Sequence, residues 1–86
     1  MRLIKLGAEW CGPCKTMDTR LKNFTECEVK TYDVESEDVE TENLVEKYKV
    51  RNIPVIVLED DNGDLLHKWV GAVSLTEIEE EVKKHK

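Results

Sequence analysis

The sequence predicts an α/β fold of order βαβαββα, a four-stranded mixed sheet with helices on both faces. Three observations predict it. The chain opens strand, helix, strand within a length that requires a parallel pair joined by a right-handed crossover. The continuous β-branched run Ile53-Pro54-Val55-Ile56-Val57-Leu58 reads as a central strand buried on both faces. Asp61-Asn62-Gly63-Asp64 is a hairpin turn, so the final strand must return antiparallel.

Taken in order, Leu3 to Leu6 reads as the first strand and ends at Gly7. A helix follows from Pro13, with proline in the first turn, where its missing N–H removes no intrahelical bond. The apolar positions Cys14, Met17, Leu21 and Phe24 are spaced three, four and three, which is one face of a helix. That spacing turns Cys14 toward the core and leaves Cys11 at the exposed N-terminal tip. Val29 to Val34 reads as the second strand. The second helix is expected over Val39 to Lys49, with Leu44, Val45 and Tyr48 as its inner face. Pro54 can stand only at the start of its strand, since it cannot donate to a ladder. Leu65 to Val70 forms the antiparallel partner. In the last helix Ser74 and Glu77 read as a capping box and Leu75, Ile78 and Val82 as the buried stripe. Lys83, Lys84 and Lys86 complement the negative end of its dipole. The first and last helices are expected on one face of the sheet and the middle helix on the other. A ligand site then falls at the end of the first strand.

A length of 86 residues allows one domain, spanning 1–86. Thirteen basic residues against nineteen acidic ones give a net charge of −6. With no basic stripe to neutralise phosphates, neither nucleic acid nor an anionic membrane is an expected partner. The longest apolar stretch, Ile53 to Leu58, is far too short to span a bilayer. Lys5 interrupts what would have to be an apolar signal segment, so the expected location is cytoplasmic. A monomer is expected. No repeat, linker or low-complexity tract divides the chain.

The chemistry concentrates in Ala8-Glu9-Trp10-Cys11-Gly12-Pro13-Cys14-Lys15. Two thiols stand one helical turn apart, directly after a strand and directly before a helix. The orphan N–H groups and the dipole at that helix start favour a thiolate at Cys11. Lys15 acts in the same direction and Glu9 opposes it. Three cysteines are an odd number, which suits a disulfide framework poorly. In a reducing compartment a close pair is catalytic or metal-binding. Zinc prefers four ligands, and only Cys27, His67 and His85 could supplement the pair, with no second close pair present. The redox reading is therefore preferred, with no metal.

These residues resemble the thioredoxin family. Ala8 to Lys15 matches that family's active-site motif along its whole length. Asn52-Ile53-Pro54-Val55 resembles the loop that carries a cis-proline facing the dithiol, and Gly71-Ala72-Val73-Ser74 resembles the glycine loop that completes the substrate platform. The resemblance covers nearly the whole chain, with the motifs in the family's order. It implies a thioredoxin-like fold and a protein-disulfide reductase with Cys11 and Cys14 as catalytic residues. Trp10, Gly12, Pro13, Lys15, Ile53, Pro54, Gly71 and Ala72 would bind substrate or support the dithiol. It further implies disulfide-containing protein substrates, a thioredoxin reductase or equivalent electron donor, and no cofactor. Two departures stand out. The chain starts at what would be the family's central strand, an outline closer to a glutaredoxin. Lys5 occupies the position where the family usually carries a buried acid that helps move the proton of the buried thiol.

Each singled-out residue also has a plainer role. Lys5 either snorkels out of the strand along its stem or lies buried and acts on Cys14. Trp10, in the loop before the helix, is expected at the rim, and Trp69, in a strand, in the core. Gly71 serves either close approach of a bound chain or a simple turn. Cys27 is expected to be a small core hydrophobe. Glu35, Glu37, Asp38, Glu40 and Glu42 are expected to form a solvated helix face and its approach. Three alternatives accompany the reductase: a glutathione-linked glutaredoxin-like protein, a non-catalytic binding module on the same platform, and, weakest, a two-cysteine metal site shared between chains.

Overall fold

A computed structural model describes residues 1–86. The elements are β1 (Arg2–Gly7), α1 (Gly12–Leu21), β2 (Glu28–Asp33), α2 (Val39–Lys47), β3 (Val55–Glu59), β4 (Leu65–Val70) and α3 (Leu75–Lys84). They form one four-stranded sheet of order β2-β1-β3-β4. β1 pairs parallel with β2, while the β1–β3 and β3–β4 pairs are antiparallel. The expected architecture, βαβαββα with a mixed sheet, is the one observed.

Strand alternation splits the core in two. On one face Leu3, Ile56 and Leu58 pack with Met17 and Leu21 of α1 and Ile78 and Val82 of α3. On the other, Ile4, Leu6, Val55 and Val57 pack with Leu44 of α2 and with Tyr48 just past its end. Each of these buried aliphatic side chains contributes about 1.5–3 kcal/mol, which is how so small a chain holds two layers of helix. The same alternation puts Lys5 on the face of Leu3, against α1.

Element ends differ from expectation for local reasons. α2 stops at Lys47 because Tyr48 is its C-cap and Lys49 adopts φ 50°. Its buried residues are Thr41 and Leu44, with Tyr48 just beyond, while Val45 is only half-buried. Phe24 lies past the end of α1, yet remains buried in the first core. Ile53 and Pro54 precede β3 rather than opening it, and the peptide between them is cis. At the head of α3, Ser74 Oγ accepts the Glu77 N–H at 3.2 Å, one half of the expected capping box.

At the end of β3 opposite the cysteines, Glu59 is fully buried. Its carboxylate accepts from Arg2 Nε at 2.9 Å, from Lys47 Nζ at 3.4 Å and from the Tyr48 hydroxyl. Burial alone would push this carboxyl up. The Tyr48 and Arg2 hydrogen bonds and the charges of Arg2 and Lys47 outweigh that, holding it below its ordinary value. This network ties β1, β3 and the end of α2 together.

Candidate functional site: a disulfide at the tip of a helix

β1 ends at Gly7, and the turn through Ala8, Glu9 and Trp10 delivers the chain to Cys11, the N-cap of α1. The Cys11 N–H donates to the Ala8 carbonyl at 3.2 Å, closing that turn. Pro13 stands in the first turn of α1, and Cys14 follows on its inner face. Cys11 and Cys14 are joined as a disulfide with Cα atoms 5.2 Å apart. Cys11 Sγ also accepts the Cys14 N–H at 3.2 Å, so an orphan donor of the helix start points at this sulfur. That donor and the helix dipole favour negative charge on Cys11 once the bond is reduced.

The sulfurs are less open than the sequence suggests. Cys11 is only 5% exposed and Cys14 1%, a correction to the exposed tip expected for Cys11. Ala8 packs with both cysteines, and Val34 and Ile53 close over them. Val34 comes from the loop after β2, held there by its N–H donating to the Gly7 carbonyl at 2.9 Å. Gly12 and Pro13 are exposed beside the disulfide, as is Lys15. Trp10 is 70% exposed at the rim, and its indole N–H donates to Glu35.

Two further loops complete the surround. Ile53, half-buried, and Pro54, buried, approach from β3. Gly71, at φ 92°, donates its N–H to the Pro54 carbonyl at 2.8 Å. The loop through Ala72 and Val73 is anchored on α1, where Arg20 donates to the Val73 carbonyl at 2.9 Å and the Val73 N–H meets Met17 Sδ at 3.3 Å. Neither Ile53 nor Ala72 makes a backbone hydrogen bond within the chain. Their free peptide groups can pair with an extended segment laid beside the disulfide.

Lys5 does not snorkel to solvent. Its side chain is 4% exposed and Nζ donates to Asp18 Oδ1 at 2.5 Å, while the Asp18 side chain is 50% exposed. Asp18 was not expected at the site, although its position four residues after Cys14 places it on the same helix face. Arg20, Val34 and Glu35 were also missed. Their roles depend on loops meeting in space and leave no mark in local sequence. Trp69 is half-buried against the first core rather than enclosed in it, because β4 is an edge strand. Cys27 is likewise half-buried against that core, and burial pushes its thiol up. His67 Nδ1 meets Glu81 Oε1 at 2.7 Å.

A four-stranded mixed sheet flanked by helices, with a Cys-Gly-Pro-Cys disulfide at a helix start and a cis Ile53–Pro54 peptide whose Ile53 packs against it, defines a class of dithiol proteins. The chain belongs to the thioredoxin family, whose model matches residues 1–84. It is 30% identical over 83 residues to the mitochondrial thioredoxin of Mus musculus, covering 95% of this chain and 49% of that protein. It is 30% identical over 86 residues to a thioredoxin of Staphylococcus epidermidis, covering 99% of this chain and 82% of the relative. The chain thus spans about half the length of the mammalian relatives it matches. Among solved structures, a mutant thioredoxin from Halobacterium salinarum superimposes with a TM-score of 0.79 at 28% identity, covering 96% of this chain and 72% of the other. The oxidised mitochondrial thioredoxin 3 of Saccharomyces cerevisiae gives 0.74 at 29% identity, covering 96% and 76%.

Proposed function

We propose that this chain is a thiol–disulfide oxidoreductase that reduces protein disulfides. The observation that carries the reading is Cys11 itself, at once N-cap of α1, acceptor of the Cys14 N–H and partner of Cys14 in a disulfide. In the reduced protein the Cys11 thiolate attacks one sulfur of a substrate disulfide, forming a mixed disulfide and expelling the other sulfur as a thiolate. Cys14, losing its proton, then attacks Cys11 Sγ. The Cys11–substrate bond breaks, the second substrate sulfur leaves with the electron pair, and the internal disulfide is formed. Two electrons have passed from the protein to the substrate. The free peptide groups of Ile53 and Ala72 hold the substrate segment in line for these exchanges.

The finer parts of the proposal are the donor, the location and the oligomeric state. A thioredoxin reductase or its equivalent returns two electrons to the Cys11–Cys14 bond. The odd cysteine count suits a disulfide framework poorly and favours a reducing, cytoplasmic setting, where we propose that the chain acts as a monomer. No helix is long and apolar enough to cross a membrane.

Insulin reduction tests the reading with two electron sources. Turnover is expected with thioredoxin reductase and NADPH; turnover only with glutathione would move the protein to a glutaredoxin-like role. No turnover by a folded protein would leave a binding module. Cys11→Ser is expected to abolish turnover and Cys14→Ser to trap substrate covalently. Activity of both variants equal to that of the native chain would sink the dithiol mechanism.

A further inference from the structure

We infer that Met17 and Arg20 are positioning residues for the substrate: they clamp Val73 onto α1 and so fix which way the Ala72 peptide faces. The inference rests on the oxidoreductase reading above, because that peptide matters to activity only if an extended substrate segment pairs with it.

Val73 is buried, and both of its peptide groups are taken by α1. Its N–H meets Met17 Sδ at 3.3 Å, and its carbonyl accepts from Arg20 at 2.9 Å. A thioether is a weak acceptor, but Met17 is fully buried, and where water is excluded a weak partner is worth more than none. Arg20 supplies the stronger half, a charge-assisted bond from the last turn of the helix. The two side chains stand three residues apart on one helix face, and Arg20 also approaches Met17 Sδ at 3.9 Å.

Peptide planarity carries the consequence outward. In a trans peptide the C=O and the following N–H point in opposite directions. The cis bond of this chain is Ile53–Pro54, so the Ala72–Val73 peptide is trans. With the Val73 N–H aimed at Met17, the Ala72 carbonyl must face away from α1. Ala72 is exposed, and this carbonyl has no partner within the chain. An acceptor is thereby presented next to the Gly71–Pro54 bond, on the wall beside the disulfide.

One helix sets both halves of the site. α1 carries Cys11 at its N-cap and Cys14 on its inner face, with Met17 and Arg20 further along. A segment paired with Ala72 is therefore held in register with the helix that bears the sulfurs. The ends of the loop have their own anchors, Gly71 on Pro54 and Ser74 on Glu77, but neither bond involves the Ala72–Val73 peptide. Its orientation depends on Met17 and Arg20.

The test compares two disulfides reacting with the reduced protein in single turnover: an extended peptide disulfide, and a small aromatic disulfide without peptide groups. Arg20→Met is expected to lower the second-order rate constant for the peptide by about 10-fold and to leave that for the aromatic disulfide unchanged. Arg20→Lys, which keeps a charged donor, should recover most of the peptide rate. Met17→Leu, which keeps the apolar volume and removes the acceptor, should act in the same direction as Arg20→Met. Lys22→Met, which removes a charge from the same end of α1 outside the clamp, should leave both rates native. In parallel, exchange of the Val73 amide hydrogen should quicken by about 10-fold in Arg20→Met and in Met17→Leu.

A native peptide rate in both Arg20→Met and Met17→Leu would overturn the inference. So would equal slowing with the two disulfides, or an equal effect from Lys22→Met, since each would indicate a general effect on the helix. Native exchange at Val73 in both variants would overturn the clamp whatever the activity. Failure of the native protein to react with either disulfide would instead defeat the oxidoreductase reading.

Discussion

The Gly71 N–H donates to the Pro54 carbonyl across 2.8 Å, which ties the loop leaving β4 to the residue that precedes β3. Two segments 17 positions apart in sequence thereby become one wall beside the cysteines. Gly71 can make this bond because it adopts φ 92°, a conformation that an L side chain resists.

Gly71→Ala should therefore cost stability through the backbone alone. A Cβ there meets nothing within 4 Å, so no contact is broken or crowded. The expected loss is about 1–2 kcal/mol, measured as a shift of the urea midpoint with an unchanged slope. A neutral substitution would mean that the loop relaxes out of the left-handed region, and the Gly71–Pro54 bond with it.

Gly7→Ala should fail for the opposite reason. Gly7 has no unusual φ, but its Cβ would lie 2.8 Å from Cys14 Sγ and 3.1 Å from Cys14 Cβ. Both neighbours belong to a helix packed into the first core, which cannot shift freely. Overpacking of this kind costs about 1–3 kcal/mol and should also displace Cys14, slowing insulin reduction. Native activity in a stably folded Gly7→Ala variant would contradict the geometry.

Glu59 should shape the acid limb of the stability curve. Its carboxyl binds a proton less tightly in the folded chain than in the unfolded one. Its contribution is thus complete above the ordinary glutamate pKa and is lost as pH falls through the lowered folded value. Glu59→Gln should cost about 1–3 kcal/mol near neutrality and flatten the decline at acidic pH, read from thermal melts across pH. A Gln variant with an acid limb as steep as the native one would assign that limb to other carboxylates. Tyr48 works at the other end of the scale. Burial and the Glu59 acceptor raise its hydroxyl, so its contribution is intact below the ordinary tyrosine pKa and fades as pH rises through the raised one.

Ser74→Ala should remove the hydrogen bond from the Glu77 N–H to Ser74 Oγ, the one side-chain cap at the head of α3. The expected cost is about 1 kcal/mol, seen in a denaturant midpoint, with Ser74→Asp restoring most of it. Loss of activity beyond this destabilisation would show that the loop from Gly71 to Ser74 moves with the cap.

Periodicity and punctuation carried most of the architecture. The three-four-three spacing of Cys14, Met17, Leu21 and Phe24 placed α1 with one thiol inward, and Asp61 to Asp64 imposed the β3–β4 hairpin. These are local signals: the side-chain period of a helix or strand and the conformational limits of proline, glycine and asparagine are written into neighbouring residues. The Ala8–Lys15 octapeptide likewise singled out Cys11 and Cys14 as the close pair, and its resemblance to thioredoxins implied the chemistry proposed for it.

What lies between elements could be decided only by the folded chain. The alternatives for Lys5, solvent or core, are equally compatible with a lysine in a strand. β1 lies between β2 and β3, and its odd-numbered face meets α1, so the amine is enclosed and Asp18 becomes its partner. The depth of Cys11 follows in the same way from Val34 and Ile53, two residues from separate loops that close over it. The sequence by itself determined which two sulfurs stand together at the start of a helix. The tertiary structure decided how covered they are and which charged pair stands behind them, because burial and long-range pairing are properties of surfaces brought together, and no local pattern encodes them.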